Sequence, residues 1–103
     1  METKSSEVNQ SVKFRLTGQV QGVGLRNWML AEARKRSLSG WVRNESDGSV
    51  GVLLIGHAEM LANATEWLCQ GTAKSEVIDI CELSLDDLDL NWDASAGFNI
   101  INE

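Results

Sequence analysis

Apolar residues recur along this chain with two different spacings, which follow one another in a regular order. Between residues 12 and 17, apolar and polar residues alternate, as is typical of a half-buried strand. From Arg26 to about Arg36, apolar residues recur every three or four positions, so that one stripe faces a core. The pattern predicts a strand and then a helix, with a short glycine-rich segment between them.

The rest of the chain continues this alternation, with Asp47-Gly48 as a strong hairpin signal. The segment 49–55 is apolar at nearly every position, which is typical of a central strand. The predicted elements are strands at 41–44 and 49–55, a helix at 58–70, a strand at 77–83, an irregular acidic segment at 84–96 and a short strand at 98–101.

The predicted order is βαββαβ followed by one short strand. It indicates an α+β, ferredoxin-like sandwich, in which two helices cover one face of an antiparallel sheet and a short extra strand follows at the C-terminus. We expect the second strand to run beside the first in the middle of the sheet. Residues 1–10 are predicted to be a disordered polar tail, and residues 11–103 to form one domain.

Composition and charge exclude several classes of function. The chain has 103 residues, of which 43% are hydrophobic and 23% charged, an ordinary globular composition. No apolar run approaches the roughly 20 residues of a membrane span, and the polar N-terminus lacks the apolar core of a signal peptide. These features predict a cytoplasmic protein that does not bind membranes.

The net charge of −6 disfavours nucleic-acid binding, which requires a basic face. Lys74 is the last basic residue, and the acidic stretch after it is interpreted as a solvated loop. Cys69 and Cys81 are expected to be reduced and buried. His57 has no metal-ligand partner at suitable spacing and is interpreted as a surface residue, so neither a metal nor a cofactor is predicted.

The segment between the first strand and the first helix carries the strongest chemical signal. Gly18, Gly22 and Gly24 lie within seven residues, in a pattern that fits neither common nucleotide-binding motif. Glycines let a ligand approach the backbone, and a helix begins with free N–H groups. Arg26 adds a planar fork of donors that fits a phosphate or carboxylate, and Arg43 is a second candidate for this basic spot. The pattern indicates an anion site, or else a tight connection with a solvated arginine.

Asn44 is the second polar landmark, because it lies where the second strand ends. Its side chain offers an acceptor and a donor without negative charge, so it can hold a water beside a bound phosphate. Alternatively, it stabilises its own turn. Trp28 and Trp41 are interpreted as packing residues of the core or its rim.

Together these motifs resemble the acylphosphatase family, over about residues 12–101. The pairing of the glycine-rich loop with the second motif is highly specific. The matching segments are Gly18-Gln19-Val20-Gln21-Gly22-Val23-Gly24-Leu25-Arg26, Gly40-Trp41-Val42-Arg43-Asn44, Asp47-Gly48-Ser49-Val50 and Gly97-Phe98-Asn99-Ile100.

The resemblance implies metal-independent hydrolysis of small acyl phosphates by in-line attack of water, without a cofactor. It implies that Arg26 and five backbone amides hold the phosphate, and that Asn44 orients the attacking water. The five amides are those of Gln21, Gly22, Val23, Gly24 and Leu25. The expected partner is a small-molecule acyl phosphate, with no nucleic acid and no membrane, and the expected state is a monomer.

Four positions depart from the family pattern, which leaves rate, stability and substrate preference open. Leu25 stands where phenylalanine is usual, and Gly51 replaces a common acidic residue. Ser37 replaces a usual glycine, so the end of the helix is expected to adopt another conformation. Thr72 follows a glycine where proline is familiar.

Three other functions are considered. A non-catalytic phosphate- or anion-binding module of the same fold remains open, because fold does not fix function. RNA binding on the sheet face is disfavoured, since Phe14 shares its face with core residues and the net charge is negative. A domain of a larger carbamoyl-phosphate-processing enzyme is less favoured than a free-standing domain, given the length of the chain.

Overall fold

The computed structural model of the protein describes residues 9–101. The predicted order of strands and helices is confirmed. The elements are β1 (Gln10–Gln19), α1 (Leu25–Lys35), β2 (Ser39–Asn44), β3 (Val50–Gly56), α2 (Ala58–Leu61), α3 (Ala64–Gln70), β4 (Glu76–Leu83), α4 (Asp87–Leu90), a 3-10 helix (Ala94–Ala96) and β5 (Phe98–Ile100).

Five strands form one sheet in the order β4-β1-β3-β2-β5. The first four strands of the chain pair antiparallel, and β5 joins β2 in parallel. The α+β, ferredoxin-like prediction is therefore confirmed, including the short extra strand. The expected neighbour of β1 was wrong, because β3 rather than β2 lies beside it. Neighbours in a sheet depend on long-range packing, which the pattern of a single strand does not encode.

The sheet carries a separate apolar layer on each face. On the face opposite α1 and α3, Trp41, Leu53 and Ile55 pack against side chains of the segment that follows β4. Both faces of β3 are thus covered, which explains why every residue of this strand is buried. The larger layer lies on the helix face and contains Phe14, Leu16, Val20, Leu25, Met29, Ala33, Leu38, Val42, Val50, Val52, Leu54, Ala64, Trp67, Leu68 and Phe98.

The single helix predicted at 58–70 is in fact two helices. Between Leu61 and Ala64, Asn63 has a φ of −100° and a ψ of 8°, which interrupts the helix. Asparagine side chains compete with the backbone for hydrogen bonds, so this residue favours helix ends. The apolar face of α3 is buried, whereas Met60 in α2 is 44% exposed. The apolar spacing continues across the break, so spacing alone did not reveal it.

The prediction that the acidic segment after β4 is irregular and solvated was wrong in part. α4 begins with a capping box, in which the N–H groups of Asp86 and Asp89 each donate to the other residue's carboxylate, at 3.0 and 2.9 Å. Asp89 is buried, and its carboxylate accepts a hydrogen bond from the ammonium group of Lys13 at 2.5 Å. This ion pair ties the C-terminal segment to β1. The two residues are 76 positions apart, so local patterns gave no sign of the pair.

Protonation of Asp89 is expected to cost stability. Burial raises the pKa of its carboxyl. Hydrogen bonds from Lys13 and the Asp86 N–H together lower that pKa by a larger amount, so that it lies below its ordinary value of 3.8. Such a group stabilises the fold above its unfolded pKa, and the contribution is lost as the pH falls through the folded pKa. We expect Asp89→Asn to lower the free energy of unfolding by about 2 kcal/mol at pH 7. The difference from wild type should shrink as the pH falls below about 4.

Urea unfolding of both proteins between pH 7 and acid pH measures this difference. A difference that stays constant across the range would contradict the assignment of the ion pair as a pH-dependent contribution.

The end of α1 adopts the turn that glycine normally provides. The N–H of Leu38 donates to the carbonyl of Ala33 at 2.9 Å, and that of Ser37 to Arg34 at 3.1 Å, which is the Schellman pattern. Ser37 has a φ of 60°. The expectation that serine forces another conformation here was therefore wrong.

Ser37→Gly is expected to raise the free energy of unfolding by about 1 kcal/mol, because left-handed backbone strains any residue that carries a Cβ. Ser37→Ala retains the Cβ and is the matched control, for which no gain is expected. Urea unfolding of the wild type and the two variants measures these differences in the free energy of unfolding. Equal gains in both variants would show that the serine side chain, rather than the backbone, is the source.

The predicted tail, residues 1–10, lies outside the described residues except for Asn9 and Gln10. Gln10 is the first residue of β1. Among residues 9–101, no helix has the length and apolar character needed to cross a bilayer.

Cys69 and Cys81 form no disulfide, but the expectation that they are buried was wrong, since both are exposed. Cys69 lies near the end of α3. Cys81 lies on the edge strand β4, opposite Arg15 of β1. The prediction rested on residue type alone, because cysteine is among the residues most often buried.

Candidate active site

The glycine-rich loop, residues 20–24, joins β1 to α1 at one end of the sheet. Gly22 and Gly24 have φ values of 74° and 77°, a left-handed conformation that residues with a Cβ rarely adopt. Apart from each glycine and its two neighbours in sequence, no described residue has an atom within 4 Å of the position that a Cβ would occupy there. The glycines therefore permit the turn and leave the space beside the loop open.

The loop and the first turn of α1 present a run of unpaired backbone donors. Within the described part of the chain, no N–H group of residues 21–27 has an intramolecular acceptor, and the first helical hydrogen bond runs from Trp28 to Gly24 at 3.1 Å. The first turn of α1 contains no acidic residue. Converging free N–H groups and the positive end of a helix dipole attract anions.

Arg26 is the second residue of α1 and is half-buried. Arg34, Arg36 and Arg43 all donate hydrogen bonds to other residues. Among residues 9–101, by contrast, nothing accepts a hydrogen bond from the guanidinium of Arg26. Its planar fork of donors is thus available to a ligand at the loop.

Asn44 is the last residue of β2 and pairs with Val50 of β3. Alternation along the strand directs its side chain to the same face as Val42, which belongs to the helix-side core. Its Oδ1 atom is buried and has no hydrogen-bond partner within the described residues. Leaving a buried acceptor unpaired is costly. This oxygen is therefore suited to accept a hydrogen bond from a ligand or a water.

The turn that follows Asn44 is stabilised by Asp47 instead. The Asp47 carboxylate accepts hydrogen bonds from the hydroxyl of Ser49 at 2.6 Å and from its N–H at 2.9 Å. These two hydrogen bonds hold the pKa of the Asp47 carboxyl below its ordinary value. The alternative role of Asn44, as a residue that stabilises its own turn, has no support in these contacts.

The side chain of Gln21 connects the loop to this turn. Its Nε2 atom donates to the carbonyls of Glu45 at 2.9 Å and Ser49 at 2.8 Å. Because Glu45 directly follows Asn44, the loop and Asn44 lie at the same end of the sheet, where β1 and β2 end and β3 begins. The sequence drew attention only to the backbone of Gln21. The long amide side chain of Gln21, in a loop otherwise rich in glycine, is the feature of the sequence that could have indicated this anchoring role.

Arg43 does not join the anion site, contrary to expectation. Strand alternation turns it to the opposite face from Asn44, where its Nε donates to the Glu45 carboxylate at 2.8 Å and its guanidinium lies 4.6 Å from the ring centroid of Trp41. A side chain at Gly51 would collide with that carboxylate. Glycine at this position therefore lets Glu45 fold onto the face opposite α1 and α3, away from Asn44.

Other groups capable of acid–base or metal chemistry lie elsewhere. His57 is exposed, as predicted, and follows the end of β3 that is distant from Asn44. The length of β3 separates the two by roughly 20 Å. In the stretch from residue 9 to residue 101, no three His, Cys, Asp or Glu residues gather into a group that could hold a metal ion.

The fold and the loop together define a small α+β protein that can hold an anion at one end of its sheet. The chain belongs to the acylphosphatase family, because the family's sequence model matches residues 12–100.

Individual relatives agree with this assignment. An acylphosphatase of Sinorhizobium medicae is 40% identical over 86 residues, which are 84% of this chain and 87% of the relative. An acylphosphatase of Rhizobium etli is 43% identical over 72 residues, or 70% of this chain and 77% of the relative. The crystal structure of acylphosphatase from Bacillus subtilis matches with a TM-score of 0.79 and 33% identity, over 92% of this chain and 100% of that chain. The resemblance seen in the sequence motifs is confirmed.

Proposed function

We propose that this protein is an acylphosphatase, which hydrolyses the carboxyl–phosphate bond of small acyl phosphates to a carboxylate and inorganic phosphate. Membership of the family supports the reaction. The observation that supports the location of the site is the run of unpaired N–H groups at residues 21–27, at the same end of the sheet as Asn44.

In this proposal, the phosphate lies in the concave side of the loop. The N–H groups of Gln21, Gly22, Val23, Gly24 and Leu25 donate to its oxygens. The guanidinium of Arg26 donates through two parallel N–H groups, which fixes the orientation of the phosphate. Phosphoryl transfer depends mainly on positioning and on stabilisation of charge, and these groups supply both.

Asn44 holds the nucleophile. Its Oδ1 accepts a hydrogen bond from a water, whose lone pair is then directed at phosphorus on the side opposite the acyl oxygen. The bond from the water oxygen to phosphorus forms while the bond from phosphorus to the acyl oxygen breaks. A neutral amide suits this position, because a carboxylate would repel the phosphate.

The leaving group and the proton need no further side chain. The bonding electron pair departs with the acyl oxygen as a carboxylate, whose conjugate acid has a pKa of about 4, so protonation by a general acid is unnecessary. An oxygen of the substrate's own phosphate takes the proton of the attacking water. We therefore propose a metal-independent reaction with no histidine or carboxylate base.

An assay of the full chain with benzoyl phosphate tests the proposal. We expect hydrolysis that is unaffected by a chelator and competitively inhibited by inorganic phosphate. Binding of phosphate without hydrolysis would identify a binding module instead. Loss of activity with the chelator would contradict the metal-independent mechanism.

We also propose that residues 11–103 form one functional domain, that the protein is monomeric and that it is cytoplasmic. A net charge of −6 opposes self-association. Two exposed, unpaired thiols suit a reducing compartment. Light scattering over a range of concentrations measures the oligomeric state.

A further inference from the structure

We infer that Thr72 is a positioning residue for the phosphate-binding loop, an inference that rests on the proposed function. Thr72 lies in the turn between α3 and β4, and its Oγ1 donates a hydrogen bond to the carbonyl oxygen of Val23 at 3.1 Å. Val23 lies between Gly22 and Gly24, the two loop residues with positive φ. The threonine hydroxyl therefore contacts the loop where its backbone is least restrained.

Fixing the Val23 carbonyl also fixes the N–H of Gly24. The two groups belong to one planar trans peptide unit and point in opposite directions. Because the carbonyl is directed at Thr72, the N–H of Gly24 points away from the turn. It has no acceptor among residues 9–101. A glycine at position 24 limits rotation of this unit only weakly, so the hydrogen bond from Thr72 sets the direction of one amide that we assign to phosphate binding.

The backbone N–H of Ser75 holds the Thr72 hydroxyl in place. The N–H of Thr72 donates to Ser75 Oγ at 2.8 Å, and the N–H of Ser75 donates to Thr72 Oγ1 at 3.1 Å. Ser75 Oγ also donates to the carbonyl of Thr72 at 3.1 Å. The Thr72 hydroxyl thus accepts from Ser75 and donates to Val23, which defines both its rotamer and the direction of its proton.

This restraint depends on the residue type at position 72. Proline, which is familiar at this position of the family pattern, has no side-chain donor and no N–H. Threonine lacks the rigid ring of proline, but its hydroxyl makes a direct contact with the loop.

Four variants test whether an effect comes from the hydrogen bond between Thr72 and Val23 or from the general stability of the turn. Thr72→Val removes the hydroxyl and keeps the shape, and Thr72→Ser restores a hydroxyl. Ser75→Ala removes two hydrogen bonds within the turn but leaves the Thr72 donor. Thr65→Val, on the exposed face of α3, is the control for a threonine-to-valine change. Each is examined for KM and kcat with benzoyl phosphate, for the Kd of inorganic phosphate, for Tm and for the amide NMR resonance of Gly24.

For Thr72→Val, we expect KM and the phosphate Kd to rise together by about threefold to tenfold, the effect of one hydrogen bond. The contact acts on ground state and transition state alike, so kcat should change by less than about twofold. The Gly24 resonance should shift. Thr72→Ser should return all three readouts toward wild type, while Ser75→Ala and Thr65→Val should leave KM near its wild-type value.

Wild-type KM and an unshifted Gly24 resonance in Thr72→Val would overturn the inference. Equal changes in Thr72→Val and Ser75→Ala would overturn it too, since they would indicate a general effect on the turn. If the wild-type chain neither binds phosphate nor hydrolyses benzoyl phosphate, the proposed function fails. In that case the Gly24 resonance still decides the structural inference, because a shift in Thr72→Val that Thr72→Ser reverses supports the contact.

Discussion

Arg26→Ala should lose phosphate binding and turnover together. Removing a preorganised donor of this kind lowers kcat by about 10²–10³. In the proposed site the guanidinium also binds the ground-state phosphate, so the Kd of inorganic phosphate should rise steeply as well. Arg26 has no internal partner in the described part of the chain, so its removal leaves no buried group unpaired, and the free energy of unfolding should change little. Benzoyl phosphate kinetics, phosphate titration and urea unfolding measure these three quantities.

Two further variants sharpen this test. Arg15→Ala removes one positive charge from an exposed residue of β1 and should leave activity unchanged. Arg26→Lys keeps the charge but loses the planar fork, so it should recover only part of the activity. Full recovery with lysine would mean that charge alone, and not bidentate geometry, accounts for the role of the arginine.

Asn44→Ala should separate binding from turnover. In the proposed site the phosphate contacts lie on the loop and Arg26, so the Kd of inorganic phosphate should stay within about twofold of wild type. The kcat should fall by about 100-fold or more, because the water loses its proposed orientation. Stability should not fall, and can rise, because alanine removes a buried oxygen that has no partner among the described residues. The same kinetic, binding and unfolding measurements apply.

Asn91→Ala is the matched control, because the only side-chain hydrogen bond of this exposed asparagine among the described residues goes to the carbonyl of Asp87. Asn44→Asp adds a second test. A carboxylate at this position should weaken phosphate binding by repulsion, which alanine does not. Wild-type turnover in Asn44→Ala would rule out the proposed positioning of water.

Much of the site was accessible from sequence because its parts are local. The glycine loop, the first residues of α1 and the end of β2 are each short segments, in which residue type determines backbone conformation directly. Gly22 and Gly24 have the positive φ that their position suggests. The roles of Arg26 and Asn44 remain proposals, although the unpaired donors and the buried oxygen are what such roles require.

What the sequence did not reveal depends on contacts between distant segments. The side chain of Gln21 reaches carbonyls 24 and 28 residues away, and Lys13 pairs with a carboxylate 76 residues away. Arg43 was named as a second candidate for the anion site, but its hydrogen bond goes to its neighbour Glu45 on the opposite face of the sheet. Local spacing does not encode such partners, because residues far apart in the sequence come into contact only when the sheet forms.

Because β3 lies between two apolar layers, we expect substitutions in one layer to affect stability independently of substitutions in the other. The layers form separate clusters on opposite faces of the sheet, which share its backbone but no side chain. Substitutions so separated generally have additive effects. Substitutions at Trp41 and in the segment that covers it can therefore change the thermal stability, while the packing around the proposed site on the other face stays unchanged.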